Sequence, residues 1–168
     1  MRFLLLDRVH RLERGKRIEA SRGVSLSEDY FAEHFPGNPI LPASLLFESF
    51  AQAATCLLEV SSGFAKKAVP GFIQSAKFHR PVVPGHDLTI EMRVESLAED
   101  AVLLAGTARQ RDQRCATVTL GMVTTPLEEF VPTAFHPFYL SIYETWLRGA
   151  VLEGFDGDPL EALRHGAG

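Results

Sequence analysis

A chain of 168 residues that is 46% hydrophobic and 23% charged, with a formal net charge of −4, has the make-up of one ordinary globular domain and not of a disordered segment. Nucleic acid is argued against, because the densest basic stretch (Arg11, Arg14, Lys16, Arg17 and Arg22) reads as a solvated strand or turn. Two cysteines, Cys56 and Cys115, show neither CxxC nor metal-ligand spacing, so a disulfide scaffold and a metal site are both unexpected and a reducing cytoplasmic location is favoured.

The apolar run at the N-terminus is too short for a signal peptide, and Asp7 ends it. No stretch is expected to span a membrane. Residues 16–25, with Ile18, Ala20 and Val24, predict a first strand, and Ser27-Glu28-Asp29 a short helical turn. Residues 35–42 then form a loop with three prolines and Gly37, whose backbone has little freedom left to lose on folding. Residues 43–60 predict a helix whose apolar residues cover nearly every face, the mark of a buried helix. The period then falls towards two, and strands are expected over 71–78, 87–96, 101–109 and 115–125, with the last three forming an antiparallel meander. The tail from residue 126 predicts a helix from Thr133 to Val151, rich in aromatic residues, and a weakly ordered end from 154.

A sheet must bury one face, and the only element long and apolar enough to cover it is the helix. The expected class is therefore α+β, with an antiparallel sheet packed on a central helix; a sheet curled around that helix, the hot-dog architecture, is expected by analogy. Residues 1–125 form that domain. Residues 126–168 form a helical extension packed on the same domain or on a dimer partner.

Two polar residues stand out. Glu48 lies within the apolar helix between Phe47 and Phe50, surroundings that favour a protonated carboxyl able to donate a proton. Gln52, four residues on, shares its face and is placed to hold that carboxyl. His34, on the rigid loop, is suited to act as a base near neutral pH. The helix start at Ala43, Ser44 and Leu45 presents backbone N–H groups that would stabilise an enolate oxygen. A loop base, a helix N-terminus and a buried acid are the parts of an α,β-elimination.

The run His34-Phe35-Pro36-Gly37-Asn38-Pro39-Ile40-Leu41-Pro42, followed by Glu48-Ser49-Phe50-Ala51-Gln52, resembles the HFPGxPxMPG and EAMAQ patterns of the 3-hydroxyacyl-(acyl carrier protein) dehydratases. Leu5-Leu6-Asp7-Arg8-Val9 is similar to the family's LLVDRV, and residues 77–85, from Lys77 to Gly85, are similar to its KFRRPVVPG. The resemblance covers residues 2–125. It implies a homodimer, or a trimer of such dimers, with His34 of one protomer facing Glu48 of its partner. It also implies dehydration to a trans-2-enoyl thioester, a substrate carried on the phosphopantetheine of acyl carrier protein, and no other cofactor. Gly37, Ala43, Ser44 and Gln52 would position the substrate, and Lys77 and Arg80 would attract the acidic carrier. Ala43 replaces the family's glycine at the helix start, Glu33 replaces a glycine before the histidine, and Leu41 replaces a methionine. The alternatives are a weakly active or inactive carrier-binding relative, supported by Ala43, and a hot-dog thioesterase.

Overall fold

The computed structural model describes residues 3–165. Strands β1 (Arg8–Glu13) and β2 (Arg17–Val24) form a hairpin, and α1 (Ala43–Ser61) follows the proline-rich loop. Strands β3 (Lys66–Phe78), β4 (His86–Leu97), β5 (Ala101–Gln110) and β6 (Gln113–Pro126) come next. The tail holds α2 (Leu127–Phe130), α3 (His136–Trp146), β7 (Val151–Glu153) and α4 (Glu161–His165). One seven-stranded sheet runs β3-β6-β5-β4-β2-β1-β7. Every pairing is antiparallel except β1 with β7, a parallel contact that departs from the expected all-antiparallel sheet.

The alternation read in the sequence is the alternation of burial. Leu88, Ile90 and Met92 of β4, and Val102, Leu104 and Ala108 of β5, turn to the core, where Phe50, Leu57 and Val60 of α1 meet them. Gly106 lets the helix come close. A Cβ there would lie 2.8 Å from Val118, 2.9 Å from the Phe50 ring and closer still to the Met92 sulfur.

Several expectations are corrected. The helix predicted from Thr133 to Val151 is α3 alone, preceded by a 3-10 turn at Thr133–Phe135. It stops before Gly149, whose φ of +77° ends helical backbone. The tail after residue 154 is not loose up to residue 165, because Leu160 and Leu163 are buried in the same core. Residues 166–168 lie outside the described residues. Strand β3 begins five residues earlier than expected, at Lys66. Pro70 masks it in the sequence, and a proline is tolerated because β3 is an edge strand. The basic stretch lies on β1, β2 and the turn between them, as expected, with Arg11, Arg14 and Lys16 exposed, and four of its side chains form salt bridges: Arg11 with Glu153, Lys16 and Arg17 with Glu13, and Arg22 with Glu28. By length and composition alone α1 could cross a membrane, a test that a buried core helix also passes. In this fold its apolar residues pack instead against the sheet.

Candidate active site

Strand β2 leads through a 3-10 turn at Asp29–Ala32 into the loop that carries His34. That loop is braced by its own backbone. The His34 N–H donates to the Tyr30 carbonyl (2.9 Å), the Ile40 N–H donates to the His34 carbonyl (2.9 Å), and Phe35 and Asn38 exchange backbone hydrogen bonds. Gly37 sits at the tip with φ +77°, a conformation that favours glycine. The far end of the loop is tied to a second one, since the Leu41 N–H donates to the Val82 carbonyl at 2.8 Å. Gln110, buried on β5, holds that second loop by accepting from Val83 N–H and donating to the Val83 and His86 carbonyls. Sequence reasoning missed Gln110. Its one signal is an amide on the inward-facing phase of β5, after Val102, Leu104 and Ala108.

Helix α1 is not closed on all sides. Ala43 and Ser44 are exposed, while Phe47, Glu48, Gln52 and Thr55 are half-buried, so an open stripe runs along it. Sequence alone overstated its burial, because one sheet curled around a helix covers only part of its circumference. Glu48 therefore sits at the boundary of the core and not inside it. Gln52 Nε2 donates to Glu48 Oε1 at 3.0 Å and to the Phe3 carbonyl at 3.0 Å, while Gln52 Oε1 accepts from Leu5 N–H at 2.8 Å. The N-terminal segment thus clamps Gln52, and Gln52 orients the carboxyl.

At the helix start, the Pro42 carbonyl accepts from both Leu45 and Leu46 N–H groups at 3.0 Å, and no side chain caps the helix. Leu45 N–H is thereby engaged, which leaves Ala43 and Ser44 as the candidate donors from the expected set. Lys77 lies on the exposed half of β3, and Arg80 just beyond it reaches Gln113 at 3.1 Å.

A cavity of about 310 Å³ opens on the stripe of α1. Glu48, Gln52 and Thr55 line one side, and Phe138, Tyr139 and Ile142 of α3 line the other. His34 is not among its lining residues. Two features flank this site. Strand β3 leaves Phe72 (55%), Ile73 (53%) and Phe78 (49%) exposed on the edge of the sheet. Bordering the cavity lies a buried polar cluster that the sequence reading did not single out. Lys67 Nζ donates to Glu59 Oε1 at 2.6 Å, and Tyr143 Oη donates to Glu59 Oε2 at 2.5 Å. A lone carboxylate among Leu57, Leu58 and Val60, with Lys66-Lys67 shortly after, was the available signal.

The cluster sets a pH dependence. Burial alone would lower the Lys67 ammonium, but the Glu59 carboxylate overcomes it and holds Lys67 above its ordinary 10.5. Burial, reinforced by Glu59, pushes the Tyr143 phenol well above its ordinary 10.0. Both groups keep their protons in the folded chain where the unfolded chain releases them. Their stabilisation is therefore full below the unfolded values and is lost as pH rises beyond them. Thermal unfolding is expected to give a Tm that falls as pH climbs past about 10, and to fall less steeply in Tyr143→Phe. An equal slope in both proteins would refute the Tyr143 contribution.

Comparison with known proteins adds to this geometry. The sequence profile described as the FabA-like domain matches residues 1–117. The 3-hydroxyacyl-(acyl carrier protein) dehydratase FabZ of Symbiobacterium thermophilum is 41% identical over 120 residues, covering 70% of this chain and 84% of the relative. FabZ of Enterococcus faecalis is 38% identical over 119 residues, with the same shares covered. Among solved structures, a hot-dog-like protein from Thermanaerovibrio acidaminovorans superposes with a TM-score of 0.58 at 18% identity, over 74% of this chain and 91% of that one. The fold is therefore the hot dog, and α3 lies beyond the residues matched by the family profile.

Proposed function

Because the chain belongs to the FabA-like family, alongside the 3-hydroxyacyl-(acyl carrier protein) dehydratases, we propose that it converts 3-hydroxyacyl-(acyl carrier protein) to the trans-2-enoyl thioester in fatty acid or related lipid synthesis. His34 takes the C2 proton. The electron pair of that C–H bond becomes the C2–C3 double bond as the C3–O bond breaks. Glu48 gives a proton to the departing hydroxyl, and water leaves. The N–H groups of Ala43 and Ser44 face the negative charge that gathers on the thioester oxygen. Gly37 shapes the loop, Gln52 aims the carboxyl, and the phosphopantetheine of the carrier delivers the acyl chain with no further cofactor.

The observation that carries this reading is Glu48, oriented by Gln52 at an apolar cavity on the helix that begins where the His34 loop ends. A homodimer completes the site, with His34 of one protomer supplied to Glu48 of its partner. The apolar edge of β3 supports this. An edge strand with exposed apolar residues is a ready place for a second strand to pair.

The direct test is to incubate the purified protein with a medium-chain 3-hydroxyacyl-(acyl carrier protein). Enoyl thioester is the expected product. Free acid would favour a thioesterase, and no reaction over several chain lengths would favour a carrier-binding subunit. Reversing charge at both Lys77 and Arg80 is expected to raise KM for the carrier-bound substrate about tenfold with kcat unchanged, through lost electrostatic attraction. An unchanged KM would remove these two residues from carrier recognition.

A further inference from the structure

We propose that α3 is a fixed wall that limits the length of the acyl chain and restricts the site to short- and medium-chain substrates. The inference rests on Glu48 being the acid of the dehydration. With C3 of the substrate at the Glu48 carboxyl, the acyl tail needs apolar space beside that residue, and this cavity is such a space. Glu48, Gln52 and Thr55 are spaced four and then three residues apart on one face of α1. They span about 10 Å along it at the helical rise. The opposite side is built by α3, and the cavity extends to Lys67, whose ammonium is held by Glu59 and lies 5.3 Å from the centre of the Tyr139 ring. At about 310 Å³ it is near the small end of the ~300–1,000 Å³ range of small-molecule pockets.

Two anchors make α3 a wall and not a lid. Tyr143 Oη donates to Glu59 Oε2, and Trp146 Nε1 donates to the Leu6 carbonyl at 2.9 Å, both bonds buried. The Tyr143 ring also packs edge-on against Phe64 (4.8 Å between centroids) and Trp146 (5.4 Å). Tyr139 and Ile142 are only half-buried and line the cavity without serving as these anchors. They can therefore be changed while the helix stays docked. Since α3 lies outside the residues shared with the family profile, the length limit would be a property of this chain's own tail.

Trp146 is the single tryptophan and lines the cavity, so its fluorescence reports occupancy. The probes are saturated acyl-pantetheine amides of increasing length, which cannot eliminate. In the wild type, affinity is expected to rise about fourfold per buried methylene and then to stop rising at a limiting length. Tyr139→Ala and Ile142→Ala should move that limit to longer chains, and Ile142→Phe to shorter ones, with thermal unfolding showing that each variant folds. The kcat/KM profile over 3-hydroxyacyl chains should shift in step. A limit that stays in place in all three folded variants, or a Trp146 signal indifferent to every probe, would overturn the proposal. The two readings separate cleanly. Wall-dependent binding without dehydration would sink the activity and keep the wall, whereas dehydration with an unmoved limit would sink the wall alone.

Discussion

Co-expressing a His34→Ala chain with a Glu48→Gln chain is expected to restore roughly a quarter of wild-type turnover, because half of randomly paired dimers are mixed and each mixed dimer holds one intact site of two. Each variant alone should lose about 10²–10⁴-fold in kcat, the usual worth of a positioned acid or base. His34 sits on a braced loop that ends at the start of α1, while Glu48, bonded by Gln52, lines the cavity beside α3. If base and acid came from the same chain, mixing would rescue nothing, since every site would lack one of them. Enoyl formation by the co-purified mixed dimer, tagged differently on its two chains, decides the matter. A variant with Ile73→Lys on the edge of β3 should lose activity together with the dimer, measured by light scattering, because a charge is placed where an apolar edge would pair.

The second large effect is on stability. Glu59→Ala should cost about 3–5 kcal/mol, because the Lys67 ammonium would remain buried without its carboxylate. Glu59 is fully buried and also accepts from Tyr143 and from the Ala68 N–H at 3.3 Å, so the change leaves three donors without this acceptor at once. Adding Lys67→Met should recover much of the loss, since the double change leaves no uncompensated charge. Urea unfolding of the single and double variants provides the measurement. A single variant as stable as wild type would show that the cluster does not hold α3 against α1 and β3.

The dense motif from His34 to Pro42, Glu48 with Gln52 one turn later, the long apolar helix and the four strands after it were all legible in the chain. Each is a local pattern: a run of prolines, a spacing of four, a period of two. Strand β1 was not legible. A register shift between Val9 and Arg11 places its buried residues, Val9 and Leu12, three apart, so a bulged strand carries a helix-like spacing. Strand β7 has three residues and exists only because β1 offers it an edge. The composition of the tail announced that it docks, but not where. The fit of Trp146 to Leu6 and of Tyr143 to Glu59 joins residues 140 and 84 positions apart, and no local period encodes such contacts. What the sequence determined by itself was the chemistry on offer and the elements that bear it. Only the tertiary structure decided that one sheet leaves a stripe of α1 open and that α3 roofs a cavity beside Glu48. A helix face becomes a pocket or a core according to what packs against it, and that depends on segments far apart in the chain.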